Sequence, residues 1–297
     1  MNLPPKVKLR EVSTRDGFQS LPEFIPTEKK LEIIEAIAKA GVREIETTSF
    51  VSPKAIPHLR DAAELMSRVP RGGISHAALV PNLKGPQNAI NADVDQLVIL
   101  ISTTEAHNQE NLWRSIGESL ADLDGIFKLA QDKSVAVTGS IAVSLGCPYQ
   151  GDVPEEEVFM LVEAYISRGA TRIILADTTG MASPTRVQKM VRQFRTTFHD
   201  MDFALHFHNN RGTAMANLLG GIMAGATVFD TALGGIGGCP YVPQAAGNLP
   251  TEDVVFTLED MGVSTGIDLE AIIRAAQLLD EDPWIYSSGS GYEKWPT

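Results

Sequence analysis

Short runs rich in β-branched and aliphatic residues recur at residues 7–12, 44–51, 74–80, 96–102, 135–144, 172–176, 203–207 and 228–233. Helical periodicity fills the intervals. Over residues 27–40, Leu31, Ile34, Ile37 and Ala38 form one apolar stripe, Thr27 is placed to cap the first turn, and Gly41 ends the pattern. A further helix is expected after Pro154. Another should start at Ser183-Pro184 and carry Val187, Met190, Val191 and Phe194 on one face.

Strand and helix thus alternate eight times. Alternation predicts a parallel sheet covered by helices, and a count of eight favours an α/β chain closed into a (β/α)8 TIM barrel. An open doubly wound sheet is the alternative that periodicity alone leaves standing. No GxGxxG follows the first strand, and the glycines at Gly234, Gly235, Gly237 and Gly238 follow the eighth, so a dinucleotide site is poorly supported. Residues 1–297 are expected to form one barrel domain, with a short C-terminal extension after about residue 265. That tail carries Trp284, Tyr286, Tyr292 and Trp295 among Ser and Gly, suited to covering a barrel end or a subunit contact.

The chain has 297 residues, 43% hydrophobic and 21% charged, enough to bury a large core. Its net charge of −12, with no Lys/Arg block, argues against nucleic acid as a partner. No apolar run of spanning length occurs, so a membrane partner is not expected and a cytoplasmic location is. The two cysteines, Cys147 and Cys239, are too few for a secreted disulfide framework and are read as free thiols.

In a closed barrel the chemistry gathers where strands run into βα loops. Polar residues stand at those places: Arg15-Asp16 after the first strand, Glu46 in the second, Asp177 after the sixth, His206-Phe207-His208 at the seventh, and Gly237-Gly238-Cys239 with Asn248 after the eighth. His206 and His208 are two apart on a strand, so both imidazoles point to one side and can share a metal. A lone HxH is as often structural as ligating, but Asp16 at the matching level of the first strand supports a ligand set. Oxygen and nitrogen donors with few thiolates suit Mg2+ or Mn2+ better than structural zinc. Arg15 beside Asp16 would ordinarily be a solvated pair; at a strand end its fork can instead stabilise an enolate or carboxylate oxygen. Glu46 has the plainer reading of a pairing charge. Cys239 has the plainer reading of a buried inert thiol, or, on a mobile glycine-rich loop, that of a proton donor.

Several stretches together resemble the 3-hydroxy-3-methylglutaryl-CoA lyases of the metal-dependent lyase and Claisen-condensing superfamily. They are Arg15-Asp16-Gly17, the run from Ile45 to Lys54, Pro81-Asn82-Leu83-Lys84-Gly85, Leu145-Gly146-Cys147-Pro148-Tyr149, the HxH pair, Gly237-Gly238-Cys239-Pro240-Tyr241 and Gly247-Asn248-Leu249. The resemblance implies a TIM barrel whose divalent-metal ligands are Asp16, His206, His208 and Asn248, with Glu46 in the outer shell. It implies further that Arg15 stabilises the enolate of departing acetyl-CoA, Cys239 takes part in proton transfer, and Asp177 is an acid–base or orienting carboxylate, His206 being counted with the catalytic set. The implied substrate is an acyl-CoA, and a homo-oligomer is the expected assembly.

The chain departs from the family pattern at Ser13-Thr14, where Gly-Pro is usual, at Phe18 in place of Leu, and at Asn209-Asn210-Arg211, where Asp-Thr and an aromatic residue are usual. A bulkier 3-hydroxy-3-alkylglutaryl-CoA is therefore an alternative substrate. A condensing synthase of the same superfamily would share the HxH but usually carries a further regulatory domain. A non-catalytic barrel would be expected to have lost some of Arg15, Asp16, Cys239 or Asn248.

Overall fold

A computed structural model describes residues 3–238 and 247–279. Cys239, Tyr241 and the aromatic residues of the tail lie outside the described residues.

The chain runs β1 (Lys8–Glu11), α1 (Thr27–Lys39), β2 (Glu44–Ser49), α2 (Ala62–Arg68), β3 (Ser75–Val80), α3 (Pro86–Asn91), β4 (Gln96–Ser102), α4 (Glu105–Leu112) and α5 (Ile116–Asp132). It continues through β5 (Ala136–Ala142), α6 (Glu155–Ile166), β6 (Arg172–Asp177), α7 (Pro184–Thr197), β7 (Phe203–Phe207), α8 (Ala214–Met223), β8 (Val228–Thr231), α9 (Thr251–Asp260) and α10 (Leu269–Gln277). The eight strands are all parallel and close in sequence order. Closure is made where β1 meets β8, with Lys8 opposite Val228 and Arg10 opposite Asp230. This is the (β/α)8 TIM barrel that the alternation predicts.

Strand alternation divides the apolar residues into two cores. Ala77, Leu79, Val98, Ile174, Ala204 and Val228 fill the barrel interior. The larger cluster lies between strands and helices, where Ile34 and Ile37 of α1 and Val187, Val191 and Phe194 of α7 are fully buried. Beyond residue 265, α10 buries Ile272, Ala275 and Ala276 and packs against α1 and α9.

Several boundaries differ from the sequence reading, each for a local reason. Thr27 does not cap α1: Pro26 holds the cap position, and the Thr27 hydroxyl donates to the Asp61 carboxylate at 2.9 Å. β5 stops at Ala142 because Val143 takes a left-handed φ of 51°, which ends strand geometry. β8 stops at Thr231 because Leu233–Gly235 turn tightly, with Gly234 at φ 62°. The helix at Ser183-Pro184 begins where expected, and the Ser183 side chain accepts from the Arg186 N–H. Among the described residues no helix is long and apolar enough to cross a membrane.

Candidate functional site

After β1 the chain turns once, Ser13 to Gly17, with the N–H groups of Asp16 and Gly17 both directed at the Val12 carbonyl. This turn aims the Asp16 carboxylate into the C-terminal mouth of the barrel. β7 delivers His206 and His208 to the same place. The segment after the eighth unit is tied to the end of β7 by an Asn209 N–H to Gly247 carbonyl bond of 2.9 Å, which brings Asn248 alongside. Gly237 leaves room for this approach: a Cβ there would lie 2.5 Å from Asn248 Nδ2 and 3.3 Å from Asp16 Oδ2.

Asp16, His206 and His208 offer donor atoms all within 4.8 Å of one another, and all three residues are buried. The two imidazoles present Nε2 to each other at 3.0 Å, and His208 Nε2 lies 3.6 Å from Asp16 Oδ2. Asn248 Nδ2 donates to Asp16 Oδ2 at 2.8 Å and to the Ile236 carbonyl at 3.0 Å. Its Oδ1 is buried with no hydrogen-bond partner among the described residues. A buried acceptor without a donor is costly unless something else satisfies it, and a cation does so.

Protonation states suit the same guest. Burial would raise the Asp16 pKa, yet Arg15 and the two imidazoles hold its carboxyl well below the usual range. Burial and the neighbouring His206 push His208 down to about 4, so it is neutral near pH 7. His206 Nδ1 lies 3.1 Å from Asp230 Oδ2, and a carboxylate accepts, so Nδ1 carries a proton; burial opposes charge on this ring, but Asp230 and Asp16 outweigh it and raise its pKa. A carboxylate, two imidazole nitrogens and an amide oxygen are donors that a divalent cation takes, displacing any proton on the nitrogen it binds. The arrangement is a divalent-cation site in kind, and nothing in it selects one ion.

Arg15 is not a solvated surface residue. Its side chain is 11% exposed, Nε donates to Glu46 Oε1 at 2.5 Å, and Nη1 donates to Asp16 Oδ1 at 2.6 Å. Glu46 is buried and stands one residue behind the clustered donors, joined to Asp16 through Arg15. Asp177 is not part of the cluster. Its carboxylate accepts from the N–H groups of Met181 and Ala182, which shapes the loop into α7, and burial pushes its pKa up to about 6 against those bonds. Among the described residues its hydrogen bond to the centre is through its backbone carbonyl, which accepts from His208 N–H at 3.3 Å. Cys239 lies outside the described residues. Cys147 is buried, with Sγ 3.0 Å from the Thr104 hydroxyl.

Three residues around the centre escaped the sequence reading. Asp230 orients His206. Gln19 donates to Asp16 Oδ1 at 3.1 Å. Arg10 is fully buried inside the barrel, with Nη1 2.5 Å from Asp230 Oδ1. The signal was present as charged residues within β1 and β8, but only the β1–β8 register shows that Arg10 and Asp230 face each other.

Fold and site together define a (β/α)8 barrel with an Asp–His–His cation site at the C-terminal ends of its strands. The HMGL-like family profile matches residues 6–279. The chain belongs to the HMGL-like family. It is 40% identical to the hydroxymethylglutaryl-CoA lyase YngG of Bacillus subtilis over 282 residues, 95% of this chain and 94% of that one. It is 35% identical over 280 residues, 94% and 93% of the two chains, to a Pseudomonas aeruginosa protein named 3-hydroxy-3-isohexenylglutaryl-CoA/hydroxymethylglutaryl-CoA lyase. Among solved structures it resembles an HMG-CoA lyase from Acinetobacter baumannii in complex with coenzyme A and 3-methylmalate, with a TM-score of 0.91, 39% identity, and coverage of 99% and 98%.

Proposed function

We propose that this protein is a divalent-metal-dependent lyase that cleaves 3-hydroxy-3-methylglutaryl-CoA to acetyl-CoA and acetoacetate. The observation that carries this reading is the buried convergence of Asp16, His206 and His208 in a chain matched almost end to end by lyases of that name. Binding of a CoA thioester is supported by the similar Acinetobacter baumannii protein, whose structure contains coenzyme A.

The reaction is a retro-Claisen cleavage. The proton leaves the tertiary hydroxyl at C3, the C2–C3 bond breaks, C3 becomes the ketone of acetoacetate, and the bonding pair moves onto C2 as a thioester enolate. That enolate then takes a proton at C2 to give acetyl-CoA, so protons and charge balance. Asp16, His206, His208 and Asn248 would hold the cation, Mg2+ or Mn2+ in this reading. A bound divalent cation lowers the cost of negative charge on the hydroxyl oxygen and orients the oxygens around it. Arg15, held by Glu46 and Asp16, is the permanent positive charge proposed to stabilise the enolate oxygen. His206 is the group proposed for the hydroxyl proton, Asp177 the carboxylate that orients the loop behind His208, and Cys239 the thiol proposed to deliver the proton to C2.

A second acyl specificity has a specific observation behind it. Asn210 and Arg211, which depart from the usual pattern, both donate to the Thr179 carbonyl, at 3.2 and 3.0 Å, and so tie the segment after His208 to the loop after β6. The Pseudomonas aeruginosa relative is named for a longer branch as well as the methyl one.

A panel of 3-hydroxy-3-alkylglutaryl-CoA thioesters and their free acids, assayed with Mg2+ or Mn2+ and read by mass spectrometry, tests both readings. The expected result is acetyl-CoA from the methyl-branched thioester and little product from the free acids, because remote CoA contacts supply the binding energy that orients the reacting bond. Cleavage of free acids as fast as thioesters would refute the acyl-CoA assignment. Much faster cleavage of a longer-branched thioester would replace the methyl substrate.

A further inference from the structure

Arg10 is wholly enclosed by protein, and it sits at a branch point. Its Nε donates to Glu44 Oε1 at 2.7 Å, and Glu44 is held in turn by Arg172 and Lys8. Nη1 donates to Asp230 Oδ1 at 2.5 Å. Nη2 has no hydrogen-bond partner among the described residues and lies 3.8 Å from Glu46 Oε2. Each of the two inner carboxylates then passes its other oxygen to the cation site. Asp230 Oδ2 meets His206 Nδ1 at 3.1 Å, and Glu46 Oε1 accepts from Arg15 Nε at 2.5 Å.

From this geometry we propose that Arg10 is a positioning residue for the metal centre. Its rigid fork fixes the rotation of Asp230, and with it the orientation and tautomer of His206; its free arm faces Glu46, which aims Arg15. A guanidinium suits this place because it stays charged when buried and directs its donors in fixed directions. A neutral residue at position 10 would leave three buried carboxylates, Asp16, Glu46 and Asp230, with Arg15 as their one close permanent cation among the described residues. Asp230 could then turn away from His206. Loss of such outer partners ordinarily weakens metal binding by about 10–100-fold.

The inference rests on the proposed cation site, so the experiment measures wild type and variants together. Metal-free protein is titrated with Mn2+ by calorimetry, kcat and KM are measured at saturating Mn2+, and Tm is recorded without metal. Arg10→Met is expected to weaken Mn2+ binding by about 10–100-fold and to lower kcat. Arg10→Lys, which keeps the charge and loses the fork, should fall between Arg10→Met and wild type, and it carries the test if Arg10→Met does not fold. Arg172→Met removes a cation from the Glu44 cluster without touching Asp230 or Glu46, and should lower Tm while leaving Mn2+ affinity near wild type. A purely structural ion pair would move Tm alone. Wild-type Mn2+ affinity and kcat in the folded Arg10 variants would overturn the proposal, as would an equal loss of affinity in Arg172→Met. Absence of Mn2+ binding by the wild type would overturn both this inference and the cation site beneath it.

Discussion

Glu11 and Glu252 are two buried carboxylates set behind the first turn of the glycine-rich segment. Glu11 accepts from the N–H groups of Ser13 and Leu233 and from the Thr251 hydroxyl, while Glu252 accepts from the Gly234 N–H at 3.2 Å. Burial pushes Glu252 up to about 8, and the Gly234 N–H only partly offsets this. In the unfolded chain the same carboxyl titrates near its ordinary value of 4.5. At this group the folded state therefore binds more protons between those two values, so its contribution to stability falls as pH rises through the window, while the lowered pKa values of His107 and His208 work the other way below about 6.5. Glu11 and Asp177 are also shifted upward and act in the same direction. Asp177 is raised to about 6 and Glu252 to about 8, so Glu252 is still losing its proton after Asp177 has lost its own. Glu252→Gln should make the decline of Tm between about pH 6 and 8 shallower, read by calorimetry across a pH series; a slope equal to that of wild type would contradict the assignment. Neither glutamate was legible in the sequence. A carboxylate that accepts from the backbone of a distant turn leaves no periodic mark, whereas Asp16, His206 and His208 stand out because ligand types recur at strand ends.

At the scale of single elements, local chemistry marks where helices begin better than where strands stop. Ser183-Pro184 and Pro154 mark their helices because a cap side chain or a fixed φ acts within a few residues. Thr27 was misleading since its hydroxyl is drawn to Asp61, a partner 34 residues away that no window sees. The end of β5 was hidden for a related reason: a valine at φ 51° is a conformation its own sequence disfavours, imposed by the fold around it. The Val143 N–H is held there by the Thr178 hydroxyl at 2.9 Å. In the middle of β5, Gly139 lies under the ring of Tyr165 on α6, whose hydroxyl donates to the Ile99 carbonyl on β4 at 3.0 Å. A methyl group at position 139 would overlap that ring. Gly139→Ala should cost about 1–3 kcal/mol, the usual range for overpacking, in denaturant melts. If Tyr165→Ala in the same background restored none of the loss, the ring contact would not be its cause.

Over the whole molecule, eight repeats of one pattern made the barrel readable, because the same βα signal averaged out errors at its edges. Strand partners were not readable, and with them went the Arg10–Asp230 pairing on which the centre leans. The whole-molecule consequence of the cation site is linkage: an ion bound by the folded state alone stabilises it, by about 2.7 kcal/mol when present at 100 times its dissociation constant. Mn2+ should raise Tm by several degrees, and EDTA followed by dialysis should abolish turnover and return Tm to the metal-free value. Full turnover in excess EDTA would count against a metal-dependent reaction.

The side chains that meet at the centre come from opposite ends of the described chain: Asp16 and Asn248, hydrogen-bonded at 2.8 Å, are 232 positions apart. During synthesis the chain emerges from its first residue, and early strands can begin to pair while later ones are still unmade. Asp16 leaves the ribosome long before its partners exist, with the open edge of β1 exposed and no cation site to fill. Only when β8 closes against β1 can the centre take its final form, so nascent chains short of that point lack the complete ligand set. The ring that gives the barrel its stability thus also times its chemistry, withholding it until the eighth strand and the segment carrying Asn248 have been made.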